Sequence, residues 1–305
     1  MKKKYLGILY ILLSAFCFAL MNLFVRLSGD LPSIQKSFFR NFVALGVAAV
    51  ILLRQREAGT GMRPGAWRYL FMRAAFGTVG LLCNFYAVDH LVLADASMLN
   101  KMSPFFAVLF SLFVLRERVT PFQAGMVAAA LSGSILVVRP SFSNADLLPA
   151  LIGLCGGIGA GAAYTMVRKL GELGVRGPFI VFSFSLFSCT VTLPFVIADY
   201  APMSGKQVAL LLLAGLAATG GQFSITAAYC RAPAKEISVF DYAQIPFSAL
   251  LGFLVFGQVP DALSFAGYAV IIGSAVLLFF YNTRWSATAK TPSGIQPPPE
   301  ANSKS

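Results

Sequence analysis

The sequence has few charged residues, and acidic residues are the scarcest of them. Only 12% of the 305 residues are charged, with 12 Asp and Glu against 24 Lys and Arg, while 57% are hydrophobic. The mean hydropathy is +0.75. Water-soluble domains carry roughly 25% charged residues, so this composition excludes an ordinary globular protein. We predict an all-α polytopic membrane protein.

The sequence also has almost no histidine, and its cysteines are not spaced as pairs. His90 is the single histidine, and the five cysteines lie in or beside apolar runs without the spacing of metal ligands or of a disulfide framework. A Ser/His hydrolase inside the membrane and zinc chemistry therefore lack their residues. No G-x-x-x-x-G-K-[ST] loop for ATP occurs. We expect no enzymatic activity, no metal and no cofactor.

The basic residues lie almost entirely between apolar runs. A net charge of +12 would suggest nucleic acid binding in a soluble protein, but here the position of each charge matters more. Windows of about 19 residues predict ten transmembrane helices. They are placed at residues 5–27, 36–53, 68–88, 91–115, 121–138, 147–169, 176–199, 206–229, 235–258 and 262–282.

The distribution of Lys and Arg over the loops predicts the orientation. If the N-terminus is cytoplasmic, 17 of the 24 lie on the cytoplasmic side, 4 on the other side and 3 within spans. Cytoplasmic loops carry the excess of positive charge. We therefore expect both termini in the cytoplasm, an inner-membrane location in a bacterium, a lipid bilayer as the surroundings and no nucleic acid partner.

The chain repeats itself at an offset of 142 residues. Identical pairs include Pro104/Pro246, Phe105/Phe247, Ala107/Ala249, Gly125/Gly267 and Ser132/Ser274. Each half holds five predicted helices, and an odd number makes the second half enter the membrane from the opposite side. We predict two inverted five-helix repeats, at 7–139 and 149–281, and a disordered cytoplasmic tail over 283–305. Such halves are the usual basis of alternating access, with a site between them near mid-membrane.

Two prolines at equivalent positions of the repeat each interrupt a predicted span. Pro104 cannot donate a hydrogen bond to the carbonyl of Asn100, and Pro246 leaves the carbonyl of Tyr242 free in the same way. A free carbonyl within a span can meet water or a ligand. We predict kinks at both prolines, with Asn100 and Tyr242 at a substrate site.

A charged residue lies within five positions of each interrupting proline. These residues are Lys101 and Asp241. A charge at mid-membrane costs at least about 2.5–3.5 kcal/mol on insertion scales, so each side chain must face protein or water. Asp241, Gln244 and Ser248 share one helix face by their spacing. We predict that Lys101 and Asp241 pair and form the floor of one cavity; a structural ion pair or a neutral lysine, and a packing network for Asp241, are the alternatives.

Two arginines lie near the ends of predicted spans. Arg40 is near the outer end of the second span, and Arg73 is near the inner end of the third. Long basic side chains can reach the membrane surface from such positions, and this is the interpretation we favour for Arg73. For Arg40, the neighbouring Asn41 makes a polar pocket as well supported as a position at the membrane surface.

Glycines recur at four-residue steps in the sixth predicted span. Gly153, Gly157 and Gly161 would lie on one helix face, which is typical of close helix contact in membranes. The same stretch fits the G-x-G-x-x-A dinucleotide pattern by spacing alone, since no strand precedes it.

The ends of the two halves carry a resemblance to a known family. They are Ser103-Pro-Phe-Phe-Ala with Leu-Arg-Glu-Arg-Val-Thr-Pro-Phe-Gln-Ala-Gly125, and Ile245-Pro-Phe-Ser-Ala with Phe-Gly-Gln-Val-Pro-Asp-Ala-Leu-Ser-Phe-Ala-Gly267. From Gly7 to about Tyr281 the chain resembles the EamA-domain drug/metabolite transporter superfamily. The resemblance implies a ten-helix carrier, usually an exporter of amino acids or other small organic metabolites.

The resemblance also implies which residues line a central cavity. The family builds this cavity from helices one, three, four, six, eight and nine, which singles out Asn22, Tyr164 and Gln222. The acidic residue that commonly follows the family's ninth helix is Glu117 in the first half and is replaced by Gln258 in the second. A symmetric role for that acid is therefore not supported, and at Glu117 a gating salt bridge competes with a solvated turn.

The inverted repeat, the paired prolines and the mid-membrane charges favour a secondary transporter of a small organic solute. Transport would be downhill or ion-coupled, and proton coupling through Asp241 is an open option. A lipid or lipid-phosphate flippase shares the topology, with Arg40 and Lys101 holding the head group, and is the alternative. The expected partners are a small-molecule substrate and the bilayer, for a monomer or a homodimer.

Overall fold

The computed structural model describes residues 2–54, 65–114, 120–138, 147–231 and 238–288. Within these ranges the chain is helical throughout, with short connections and no strand. The helices are α1 Lys2–Leu27, α2 Ser33–Arg54, α3 Ala66–His90, α4 Leu93–Asn100, α5 Ser103–Val114, α6 Pro121–Val138, α7 Leu147–Glu172, α8 Gly177–Ala198, α9 Gly205–Arg231, α10 Gln244–Phe256 and α11 Ala262–Thr288. A 3₁₀ helix over Ser238–Ala243 precedes α10.

Seven helices of the described ranges are long and apolar enough to cross a membrane. They are α1, α2, α3, α7, α8, α9 and α11. Large apolar side chains cover their outer surface, such as Ile197 with 72% of its side chain exposed. Water would disfavour such a surface, whereas lipid would not. The prediction of a polytopic membrane protein is confirmed.

The two proline-containing spans are broken rather than kinked. The span predicted at 91–115 divides into α4 and α5, with Lys101 and Met102 between them. The span predicted at 235–258 is a 3₁₀ helix up to Ala243 and an α-helix from Gln244 onward. Pro104 and Pro246 lie in the first turn of α5 and α10, where a missing N–H costs no helical bond.

The last helix continues beyond its predicted end. α11 runs to Thr288, six residues into the segment 283–305 that we predicted to be disordered. A helix extends easily once it is nucleated, because each added residue gains a hydrogen bond. Residues 289–305 lie outside the described part of the chain, as does Glu117, the predicted gating residue.

The core lies where helices of residues 2–138 meet helices of residues 147–288. α1 packs along α9, α3 along α7, α2 along α8 and α6 along α11. α4 and α5 pack against α7, while the 3₁₀ helix and α10 pack against α1. The broken helices also meet each other through α4 and α10. If each helix is replaced by its counterpart in the other half, the pairs α1–α9 and α3–α7 exchange with each other, and the pairs α2–α8 and α6–α11 are unchanged.

Glycines of α7 allow the broken helix α4–α5 to approach closely. A Cβ on Gly157 would lie 2.5 Å from the carbonyl oxygen of Leu99, and one on Gly161 would lie 2.7 Å from that of Ser103. A Cβ on Gly153 would lie 3.2 Å from Cδ1 of Leu99. The predicted small-residue face is confirmed, and it fixes the broken helix against the second half of the chain.

Candidate functional site

Lys101 and Asp241 form a buried ion pair at the breaks of the two interrupted helices. Nζ of Lys101 lies 2.8 Å from Oδ1 of Asp241, with 1% and 0% of the side chains exposed. Lys101 directly follows α4, and Asp241 belongs to the 3₁₀ helix before α10. The predicted pairing is confirmed. It spares each side chain the cost of an uncompensated charge inside the membrane.

The polar face predicted on the ninth span is buried between the halves. Asp241, Gln244 and Ser248 are all inaccessible from outside the bundle. The hydroxyl of Ser97 on α4 donates to that of Ser248 on α10 at 2.8 Å, which joins the two broken helices beside the ion pair.

A cavity of about 70 Å³ lies next to this pair. Its polar lining comes from both halves of the chain: Arg40, Arg73, Asn84, Asn100, Tyr164, Gln222 and Gln244. Phe18, Met21, Leu81 and Phe184 supply apolar walls. This volume holds a few water molecules, whereas sites for small ligands measure about 300–1,000 Å³. The walls must therefore separate before an organic solute can enter.

The structure places five of the predicted substrate-binding residues at the cavity and four beside it. Those at the cavity are Arg40, Asn100, Tyr164, Gln222 and Gln244. Those that do not line it are Lys101, Asp241, Asn22 and Tyr242.

The prediction that Lys101 and Asp241 form the floor of the cavity is wrong in this conformation. Their neighbours in sequence, Asn100 and Gln244, line the cavity instead. The two charged side chains are directed at each other, and each compensates the charge of the other.

Asn22 and Tyr242 lie behind the cavity wall. The side-chain amide of Asn84 donates to Oδ1 of Asn22 at 3.2 Å, so Asn22 holds a residue that lines the cavity. The ring of Tyr242 packs edge-on against Phe105, with 6.3 Å between ring centres. Asn22 therefore contributes to the position of the wall through Asn84.

Arg40 is buried and held by a chain of amide and hydroxyl groups. Its Nη1 donates to Oδ1 of Asn41 at 2.5 Å, and its Nη2 donates to Oε1 of Gln222 at 3.4 Å. Asn41 in turn donates to the hydroxyl of Ser188 at 2.8 Å. The polar pocket suggested by the Arg40-Asn41 pair is therefore present, and it joins α2 to α8 and α9.

Arg73 does not reach the membrane surface, so that interpretation was wrong. Only 3% of its side chain is exposed, and it lines the cavity. Its guanidinium carbon lies 4.3 Å from the centre of the Phe184 ring, which offers a cation–π contact. Gly77, one turn along α3, leaves the necessary space, because a Cβ there would lie 2.2 Å from Nη1 of Arg73.

The two arginines share one aromatic side chain. The guanidinium carbon of Arg40 lies 5.6 Å from the centre of the same Phe184 ring. In the described ranges neither arginine forms an ion pair with a carboxylate, and Asp241 pairs with Lys101. The sequence favoured the membrane surface for Arg73; the signal for the cavity was Gly77 four residues later, which leaves space for its guanidinium.

Polar contacts close the end of the bundle at which α1 leads into α2. Nζ of Lys36 lies 2.6 Å from Oδ1 of Asp89 on α3. The side chain of Gln35 exchanges two hydrogen bonds with the backbone of Ala201, at 2.9 and 3.0 Å. These contacts connect α2 to α3 in its own half and to the α8–α9 connection in the second half.

Two further contacts at this end lie around the connection from α3 to the broken helix α4. Arg26 donates to the carbonyls of Val88 and Leu91. Oε1 of Gln258 accepts a hydrogen bond from the N–H of Leu93 at 3.2 Å, at the first residue of α4. Gln258 thus supplies an uncharged acceptor where the resemblance would place a carboxylate.

The sequence of this chain is similar to those of known transporters. The EamA-like transporter family matches residues 5–139. The pseudopaline exporter of Pseudomonas aeruginosa is 33% identical over 274 residues, covering 89% of this chain and 95% of that protein. The riboflavin transporter of Rhizobium johnstonii is 28% identical, with 89% and 90% covered. Human solute carrier family 35 member G1 is 25% identical, with 89% and 78% covered.

A solved crystal structure shares the fold. Its TM-score is 0.67 at 18% sequence identity, and the match covers 92% of this chain and 98% of that chain.

Proposed function

Because the chain belongs to the EamA-like transporter family, we propose that it is a secondary transporter that exports a small organic metabolite by alternating access. The observation that carries this proposal is a cavity lined by both halves at the breaks of two equivalent helices. Discontinuous helices that meet near mid-membrane are typical of substrate sites in secondary transporters. The relatives named as transporters of pseudopaline and riboflavin favour an organic solute, and the first of them is named an exporter.

Two inverted repeats, at 7–139 and 149–281, provide the mechanical basis. The proposal is supported by the four long helix pairs α1–α9, α3–α7, α2–α8 and α6–α11, which form the same set after exchange of the halves, as expected for a pseudo-two-fold axis in the membrane plane. Rocking of one half against the other would then expose the cavity to each side in turn. In this conformation the Gln35–Ala201 contact joins the two halves at one end, so we propose that it breaks when that end opens.

The Lys101–Asp241 pair couples solute binding to this motion. Two opposite charges that neutralise each other at rest can be separated by a solute, a proton or a rearrangement of the broken helices. The pair connects α4 to the segment before α10, so its separation would change how the two halves meet. A solute or ion gradient would supply the energy.

Transport by purified protein in liposomes tests the proposal. We expect the reconstituted protein to accelerate counterflow of at least one solute from a panel of amino acids, nucleobases, organic acids and riboflavin. Asp241→Asn should abolish that counterflow. Folded protein that moves no member of the panel would contradict the proposal.

A scrambling assay separates transport from the flippase alternative. We expect fluorescent phospholipids in the same liposomes to exchange between leaflets no faster than in protein-free vesicles. Rapid exchange would favour the flippase instead.

A further inference from the structure

The charges around the cavity do not balance. Arg40 and Arg73 both line it, both are buried, and in the described part of the chain neither has an acidic partner. Guanidinium groups stay charged in proteins. Buried positive charge of this kind is retained where something else supplies the negative charge. Since Lys101 already neutralises Asp241, the described residues around the cavity supply no further negative charge.

Arg40 is oriented by neutral groups that leave it able to bind an anion. Asn41 and Gln222 accept from its two terminal nitrogens, and the Gln222 contact is long at 3.4 Å. Its Nε has no hydrogen-bond partner among the described residues. A carboxylate or phosphate oxygen would form shorter, charge-assisted bonds than an amide does, so an anion can displace Gln222.

Arg73 has fewer contacts still. Within the described ranges its guanidinium forms no hydrogen bond to the protein, and its Nε is buried without a partner. The ring of Phe184 and the space above Gly77 determine where the guanidinium lies. An aromatic face positions a guanidinium without using its N–H donors, which leaves those donors for a ligand.

The two guanidiniums face the same small volume, so they offer two positive charges to one ligand. Both lie over Phe184, so one small molecule can reach both. Leu81 and the ring of Tyr164 add apolar surface, and Asn100 of the first half and Gln244 of the second half add polar groups. The arrangement is suited to an organic body that carries negative charge toward α2 and α3.

We propose that the cavity binds an organic acid with two negative charges, held by Arg40 and Arg73 above the ring of Phe184. Two carboxylates or one phosphate monoester, which carries about −1.5 to −2 charges at pH 7, both supply this chemistry. The proposal rests on the proposed transport function for its biological meaning, but binding can be measured without transport. It also moves the anion contact from Lys101 to the two arginines.

The test is a binding measurement on the full chain in detergent micelles. Succinate and phenyl phosphate are the dianionic probes, butyrate is the monoanion, and succinamide is the neutral match to succinate. We expect a dianion to raise the melting temperature and to give calorimetric binding, with butyrate weaker and succinamide inactive. A response to either dianion supports the proposal, and the stronger one identifies the acid group.

Variants locate the site. Arg40→Gln and Arg73→Gln should each weaken dianion binding at least about tenfold, since each removes charged hydrogen bonds. Gly77→Ala should weaken it as well, because the added methyl displaces the guanidinium of Arg73. Gly46→Ala is the matched control on the helix of Arg40, since its Cβ would meet no atom within 4 Å.

Melting of the ligand-free variants separates a ligand contact from a structural role. An arginine without a counter-charge leaves no orphaned carboxylate when it is removed, so Arg73→Gln should melt no lower than the unmodified protein. Unchanged dianion affinity in both Arg→Gln variants, or equal binding of succinamide and succinate, would overturn the proposal.

The outcome is independent of the transport assay. Dianion binding that depends on the arginines, in a protein that moves no solute, would leave the anion site standing and remove the transport proposal. Counterflow of neutral or zwitterionic solutes, with no response to a dianion, would do the reverse.

Discussion

Buried cations of this protein fall into two groups at the residue scale, according to whether a carboxylate compensates them. Lys101 and Lys36 are paired with Asp241 and Asp89, whereas the cavity arginines have neutral or aromatic neighbours. Loss of one member of a pair leaves the other charge buried, so its effect on stability should be large. The same change at an unpaired arginine should leave stability intact.

The first prediction concerns the buried pair. Lys101→Ala should lower the free energy of unfolding by roughly 3–5 kcal/mol, because Asp241 is then buried without a counter-charge. Thermal melting in detergent would measure this. Adding Asp241→Asn should recover most of the stability but no transport.

A comparison variant tests the cause. Lys36→Ala should cost less than Lys101→Ala, since 18% of its partner Asp89 is exposed to solvent or head groups. Normal stability and unchanged solute affinity in Lys101→Ala would contradict the role of the pair.

The second prediction concerns Gln258. Its amide oxygen accepts from the N–H of Leu93 at the start of α4, a bond of the kind that is worth about 0.5–2 kcal/mol at helix starts. Gln258→Leu should therefore lower the melting temperature. Gln258→Glu keeps an acceptor and should retain stability and transport; equal loss in both variants would show that the amide N–H₂ matters instead.

The positions of the helices depend on where glycines allow two helices to approach closely and where a helix is broken. Gly157 lies on α7 opposite the carbonyl of Leu99 at the end of α4. Gly125 on α6 has open space where a Cβ would be. The same substitution should therefore have opposite effects at the two positions.

The third prediction follows from this contrast. Gly157→Ala should lower the melting temperature, because a methyl group 2.5 Å from a backbone oxygen forces α7 and α4 apart. Gly125→Ala should leave it unchanged or raise it, since Ala is favoured over Gly in a helix by up to about 1 kcal/mol. Equal melting temperatures of the two variants would show that α7 and α4 do not depend on close approach at Gly157.

The fourth prediction concerns the breaks themselves. Pro104→Ala and Pro246→Ala should insert and melt nearly as the unmodified protein does, because each proline occupies a first helical turn. Transport should be lost, since an alanine N–H allows the broken segments to join into a continuous helix. Retained counterflow in both variants would make the breaks structural only.

At the scale of the whole molecule, the inverted topology is the feature on which alternating access depends. We propose that both termini are cytoplasmic and that the membrane is the inner membrane of a bacterium, from the distribution of Lys and Arg along the sequence.

The fifth prediction tests that topology with reporter fusions. Fusions after Arg56, Arg116, Arg176 and Arg231 should report the cytoplasm. Fusions after His90, Ser143, Ser204 and Asp261 should report the opposite side. A single loop on the unexpected side would contradict the inverted topology of the two halves.

The sequence by itself determined the elements whose cause is local or repetitive. The lengths of the apolar runs determined where the helices begin and end, so most predicted ends lie within a few residues of the observed ones. Four-residue steps identified the glycine face of α7, and the 142-residue offset brought Pro104 and Pro246 to equivalent places, with Lys101 and Asp241 shortly before them. These features depend on spacing along the chain, which the sequence contains in full.

Only the tertiary structure decided which side chains face the cavity. Spacing alone could not show that Asn100 and Gln244 line it while Lys101 and Asp241 turn toward each other. Nor could it show that Arg73 points at Phe184, a residue 111 positions away on α8. The direction of a long side chain depends on partners that other helices supply, and those partners exist only after the helices pack.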